Sequence, residues 1–184
     1  MYNQTAAYDV ASIRQFLNEA KPPRRNYIIH SSSISLAEIR ESHIKLPGIG
    51  SLQDLYDDYT GQIIVTDPSP NIMILASRLR DIPYKKEDST NRVLSLGDSI
   101  MLATCLHLSD AFDVTFDVFH TYDDGKKGKT IPLLSYHEWC EGLTGQALTL
   151  ARRVCALKRE RPVHPNPELA FPGNPSPTGG HETE

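Results

Sequence analysis

A chain of 184 residues fits one domain with a tail and is long enough to bury a sizeable core. Its 39% hydrophobic and 23% charged residues are ordinary for a globular protein, and its formal net charge of −4 argues against a passive nucleic-acid binder. That charge does not argue against a nuclease whose acidic pocket is offset by local basic patches.

No apolar run approaches the ~20 residues of a membrane helix, and MYNQTAAYDV lacks the pattern of a signal peptide. Cys105, Cys140 and Cys155 are expected to be buried thiols in a reducing compartment, not a disulfide frame or a metal site. The expected location is the cytoplasm, with no membrane partner. Neither a Gly-x-Gly-x-x-Gly nor a P-loop is present, so nucleotide-cofactor chemistry has no support.

In chain order, Ile13, Phe16 and Leu17 predict a helix from Asp9 to Ala20, stopped by Pro22-Pro23. Tyr27–His30 is a short β-type run. A helix is expected from Ser35 to Ile44, with Leu36, Ile39 and Ile44 facing inward. Pro47-Gly48-Ile49-Gly50 breaks the chain, and Ser51–Tyr59 is a polar helix with Gly61 after its end. Gln62–Thr66 is the next strand and Asn71–Leu79 the next helix.

The charged loop from Arg80 to Asn91 is expected to be exposed. Ser95-Leu96-Gly97-Asp98 opens a helix, Ser99–Leu108, apolar nearly all round and therefore central and buried. Phe116–Thr121 is predicted as a strand, followed by the turn Asp123-Asp124-Gly125 and the lysines Lys126, Lys127 and Lys129. Ile131–Ser135 is expected as a final edge strand, because its proline cannot donate to a ladder. Tyr136–Thr144 is expected as a last short helix, packed by Tyr136 and Trp139.

Strands alternating with helices imply an α/β domain with a mainly parallel sheet flanked by helices. Residues 162–184 hold six of the thirteen prolines and no periodic apolar pattern, so a disordered tail is expected after a domain at 1–161.

In an open α/β sheet, sites form outside the carboxyl ends of the strands. Three acids fall there: Glu38 in the first turn of the helix after Tyr27–His30, Asp98 at the start of the buried helix, and Asp123 after Phe116–Thr121. Each has a plainer reading as a first-turn acid, an N-cap and a turn residue. Together they describe one acidic pocket. Converging carboxylates repel, and a bound divalent cation relieves that cost. Hard oxygen donors suit Mg2+ or Mn2+, which activates water and stabilises phosphate charge. Phosphodiester hydrolysis is the chemistry implied. The basic residues Lys126, Lys127, Lys129, Arg152, Arg153, Lys158, Arg159 and Arg161 are candidate RNA-phosphate contacts, or else a solvated face. His107 and His120 read as structural.

Leu96-Gly97-Asp98-Ser99-Ile100-Met101-Leu102-Ala103-Thr104-Cys105 resembles the PIN-domain pattern of an aspartate opening a helix rich in Ala and Leu. Phe116–Asp124 resembles that family's later strand ending in Thr-x-Asp, and Ser32–Glu38 its earlier strand-to-helix segment ending in an acid. Ile131–Ser135 and Arg161–Pro167 also resemble bacterial, VapC-like members. The resemblance runs from about residue 10 to 168, carried by order and spacing.

It implies a PIN-like three-layer fold and a metal-dependent ribonuclease, with a toxin–antitoxin role among the family's possibilities. Glu38, Asp98 and Asp123 would be catalytic metal ligands, with Asp124 as a substitute ligand and Thr121 and Ser33 as orienting hydroxyls. RNA is the implied substrate; an antitoxin protein and a second copy of the chain are implied partners. The family begins with a central strand ending in an aspartate, whereas Met1–Tyr8 has no β run and Asp9 follows no strand. The expectation is therefore a PIN-like domain without its first strand. The alternative reading is a catalytically impaired module that binds RNA or a protein partner.

Overall fold

The computed structural model describes residues 10–23, 25–40, 42, 50–87, 91–125 and 130–163. The chain is mixed α/β, built from six α-helices and four short strands among the described residues. In order these are α1 Val10–Ala20, β1 Ile29–Ser32, α2 Ile34–Glu38, α3 Leu52–Tyr59, β2 Ile63–Thr66, α4 Pro70–Arg80, α5 Leu96–Phe112, β3 Phe119–His120, α6 Gly145–Ala156 and β4 Arg159–Glu160. A 3-10 turn spans Tyr136–Trp139. No helix among the described residues is long and apolar enough to cross a membrane.

The strands form two separate parallel pairs, β1 with β2 and β3 with β4. Ile29 pairs with Ile63 and Ser32 with Thr66; Phe119 pairs with Arg159 and His120 with Glu160. Parallel neighbours need a long crossover connection. Helices α2 and α3 lie within the first crossover and α6 within the second.

The core sits where α4, α5 and α6 meet. Ile72, Ala76 and Leu79 of α4 pack with Ile100, Leu102, Ala103 and Leu106 of α5 and with Ala151 and Val154 of α6. Burying each Leu or Ile side chain of this set contributes roughly 1.5–3 kcal/mol. As expected, α5 is buried nearly all round. It runs past its predicted end to Phe112 and stops at Asp113, which adopts the left-handed conformation at φ 55°. Leu108 O accepts from Val114 N there.

Several expected elements differ. Helix α2 ends at Glu38 instead of running to Ile44, because Ile39 turns extended and its N–H closes a tight bond on Leu36 O. Ile39 is accordingly 38% exposed, not inward, and Ile44 lies outside the described residues. The loop from Arg80 is not simply exposed: Ile82 and Tyr84 are buried, and the Tyr84 and Tyr136 hydroxyls share a 2.8 Å hydrogen bond.

Ile131–Ser135 is no strand, although Ile131, Pro132 and Leu133 are buried. The backbone N–H groups of Leu133 and Leu134 donate to Asp123 and Pro132 has none, so the pairing stops at the single bridge in which Ile131 N donates to Val93 O. Tyr136–Thr144 forms only the 3-10 turn, and Gly142 then takes φ 69°.

A helix not expected from the sequence, α6, follows at Gly145–Ala156. Ala147, Leu148, Ala151, Val154 and Cys155 fall on one side at helical spacing. Of the proline-rich tail, residues 164–184 lie outside the described residues.

Candidate active site

The site is organised by the first turn of α5. Ser95 caps the helix: its hydroxyl accepts from Asp98 N at 3.0 Å and donates to Asp98 Oδ2 at 2.5 Å. Asp98 is therefore the third residue of the helix and not its cap. This reciprocal bonding fixes the carboxylate's direction.

Glu38, the last residue of α2 and not in its first turn, reaches across to the same place. Its carboxylate lies over Gly97, so a β-carbon at position 97 would fall 1.9 Å from Glu38 Oε1. The buried glycine beside Asp98 is the seat of Glu38. A glycine inside a helix costs about 1 kcal/mol relative to alanine, and here the close approach of a second carboxylate accounts for it.

Asp123 follows β3, and its charge reaches Asp98. Thr121 is tied to β4 by its N–H, which donates to Glu160 O at 2.9 Å, and its hydroxyl accepts from Asp123 N at 3.1 Å. Asp123 Oδ1 accepts from Gly125 N at 3.1 Å and Oδ2 from Leu133 N at 3.2 Å. Gly125 has φ 68°, and a β-carbon on it would meet Pro132 at 2.5 Å, so the turn requires glycine.

Burial holds the Asp98 carboxyl above the ordinary carboxylate range, against the pull of the Ser95 hydrogen bond. The charges of Asp123 and Glu38 push in the same upward direction as burial, so all three acids share one field.

The other expected site residues are placed differently. Asp124 Oδ2 pairs with Arg161 Nη2 at 3.2 Å. Ser33 donates its N–H to Thr66 O, and its side chain makes no capping bond. Lys126, Lys127 and Lys129 lie outside the described residues. Arg153 and Lys158 pair with Asp110 and Glu160 at 2.5 and 2.8 Å, and Arg159 lies over the Tyr136 ring. With Arg161 held by Asp124, much of the expected basic stripe is neutralised within the fold. His107 faces Phe112 and His120 faces Phe16, both in ring contacts.

Sequence reasoning missed the buried polar atoms nearby. Ser32 Oγ and His30 Nδ1 are buried with no hydrogen-bond partner. Their only sequence signal is polar residues inside a strand that should be apolar.

The donor chemistry, three carboxylates, fits a hard divalent cation. Among the described residues, no three His, Cys, Asp or Glu are gathered closely enough to hold a metal ion as they stand. No family model matches the chain, and neither a curated protein nor a solved structure does.

Proposed function

We propose that the chain is a PIN-type nuclease domain, a Mg2+- or Mn2+-dependent ribonuclease of three-layer α/β design. Glu38, Asp98 and Asp123 would hold the cation. The observation that carries this reading is the seating of Glu38 on Gly97, next to Asp98. Glu38 is exposed and Asp98 part-buried, and two like charges set this close are favoured by a positive charge held between them.

When bound, the cation would polarise the phosphodiester and activate water at neutral pH. The protein's own groups have separable tasks. The Ser95 hydroxyl fixes the rotamer of Asp98. Thr121 fixes the backbone of Asp123, and the Gly125 and Leu133 N–H groups fix its carboxylate. Gly97 leaves the space that Glu38 occupies. RNA is the proposed substrate; an antitoxin or a second copy of the chain as partner, and a toxin's role, follow from the family resemblance.

RNA cleavage with Mn2+, comparing the wild type with Asp98→Asn, tests the proposal. Cleavage by the wild type and a loss of ~100-fold or more in the variant support it. A folded wild type that leaves RNA intact, together with an equally inert variant, sinks it.

A second reading, a non-catalytic module that binds a protein partner, draws on another observation. Ile28 and Ile64 are 71% and 52% exposed. Ile64 pairs in register with His30, and Ile28 directly precedes β1. Parallel sheets are ordinarily covered on both faces. Pull-down with the wild type and the Ile64→Lys variant tests this reading: partner capture lost in the variant, with no RNA cleavage by either chain, favours it, and cleavage by the wild type favours the nuclease.

A further inference from the structure

Away from the carboxylates, two thiols meet. Cys140 follows the 3-10 turn Tyr136–Trp139, and Cys155 is the penultimate residue of α6. Their Sγ atoms are 4.0 Å apart. Cys140 is held in place by its neighbours: its Sγ lies 3.5 Å from Tyr136 O, and Lys85 N donates to Trp139 O at 3.0 Å just before it. Beneath, the Tyr84–Tyr136 hydroxyl pair locks the turn to the core. A disulfide needs sulfurs about 2.0 Å apart, so the remaining gap is of the size that side-chain rotation closes.

Cys140 is also reachable. Cys140 lines an open hollow of about 550 Å3 with Lys86, Glu87, His137, Glu138 and Glu141. Both cysteines are half-buried free thiols.

We propose that Cys140 and Cys155 form an oxidation site, closing to an intramolecular disulfide that staples the 3-10 turn to α6. With hydrogen peroxide as oxidant, the thiolate of one cysteine attacks a peroxide oxygen and breaks the O–O bond. That gives a sulfenic acid and one water. The second thiol attacks the sulfenic sulfur, forms the S–S bond, and releases the second water. Two electrons pass from the thiols to the peroxide, and two thiols and one peroxide become one disulfide and two waters.

Burial, with Cys155 adjoining, pushes the Cys140 thiol up to about 12. Thiolate at Cys140 is therefore scarce at neutral pH. Cys105, on α5, serves as an internal control.

The test treats the full chain with hydrogen peroxide, then denatures, alkylates and digests it for mass spectrometry. The expected product has lost two hydrogens and carries one crosslinked Cys140–Cys155 peptide, with Cys105 alkylated. Dithiothreitol reverses it. The Cys105→Ser variant gives the same crosslink. Trp139, the chain's only tryptophan, adjoins Cys140 and changes its emission on oxidation, recovering on reduction. The proposal is overturned if oxidised wild-type chain retains Cys140 and Cys155 as separately alkylated thiols, carries them as sulfinic or sulfonic acids, uses Cys105 in the crosslink, or joins two chains. Because the decisive measurement is made on the wild type, it does not depend on any variant folding.

Discussion

Glu38 Oε1 occupies the position that a side chain on Gly97 would need, with only 1.9 Å between it and a β-carbon built there. Gly97→Ala must therefore displace the Glu38 carboxylate, the mobile end of a flexible side chain. Alanine is the better helix former by about 1 kcal/mol, so the fold survives the change. The expected outcome is an intact circular dichroism spectrum with divalent-cation affinity lowered ~10- to 100-fold, read by titration calorimetry. An unchanged affinity would remove Glu38 from the site.

Asp98 offers a prediction in stability. Burial first, then the charges of Asp123 and Glu38, raise its folded pKa above the unfolded value. The folded protein thus holds the proton more tightly. The stability contributed by this group is fully present below the unfolded pKa of about 4 and is lost as pH rises through the folded value. Metal-free Asp98→Asn should be more stable than the wild type at pH 7 and converge with it below pH ~4. Mn2+ should raise the melting temperature of the wild type and much less that of the variant. Thermal scans at both pH values, with and without the cation, check the two halves separately.

His30 predicts the opposite slope. Burial depresses its folded pKa below 6.5, and its Nδ1 is buried without a partner. Protonation therefore favours the unfolded chain, and stability falls as pH drops from the unfolded value toward the folded one. His30→Phe keeps an aromatic ring against Phe116 and removes the titration. Its unfolding free energy should fall less than that of the wild type between pH 7 and pH 5 in urea titrations.

The reading of the acids from sequence was a matter of position. Asp98 was legible as an acid opening an apolar helix, but it read as the cap itself; that Ser95 is the cap and that Gly97 seats Glu38 emerged only from the fold. The bond network around Asp123 was not legible, because it joins residues ten apart through a side chain. That same network removed the expected strand at Ile131–Ser135, since Leu133 N donates to the Asp123 carboxylate and Leu134 N to the Asp123 carbonyl. Tyr84 was hidden for a different reason: it is one aromatic residue among charged neighbours, and only its partner at Tyr136 explains its burial. The α6 pattern was present in Ala147, Leu148, Ala151 and Val154, behind Thr144 at the cap position, although the Thr144 side chain makes no capping bond.

Tyr84 and Tyr136 give a fourth prediction. Their hydroxyls bond at 2.8 Å in a buried setting, and burial raises both phenols' pKa values. Tyr84→Phe leaves the Tyr136 hydroxyl buried and unpaired, at a cost of about 1–3 kcal/mol, and Tyr136→Phe does the converse. The double variant should cost less than the sum of the singles. A denaturant double-mutant cycle gives the coupling directly.

The unequal anchoring of the three acids has a consequence for any ligand they share. Asp123 is bonded through both carboxylate oxygens to backbone N–H groups, so little rotamer freedom remains to be lost. Glu38 is solvent-exposed at the end of a five-residue helix and has the most freedom to lose. Immobilising a glutamate costs up to roughly 1.5–2 kcal/mol of side-chain entropy. In the proposed site Asp123 would act as a rigid anvil and Glu38 as an adjustable arm, and the entropy of that arm would set how tightly the trio closes.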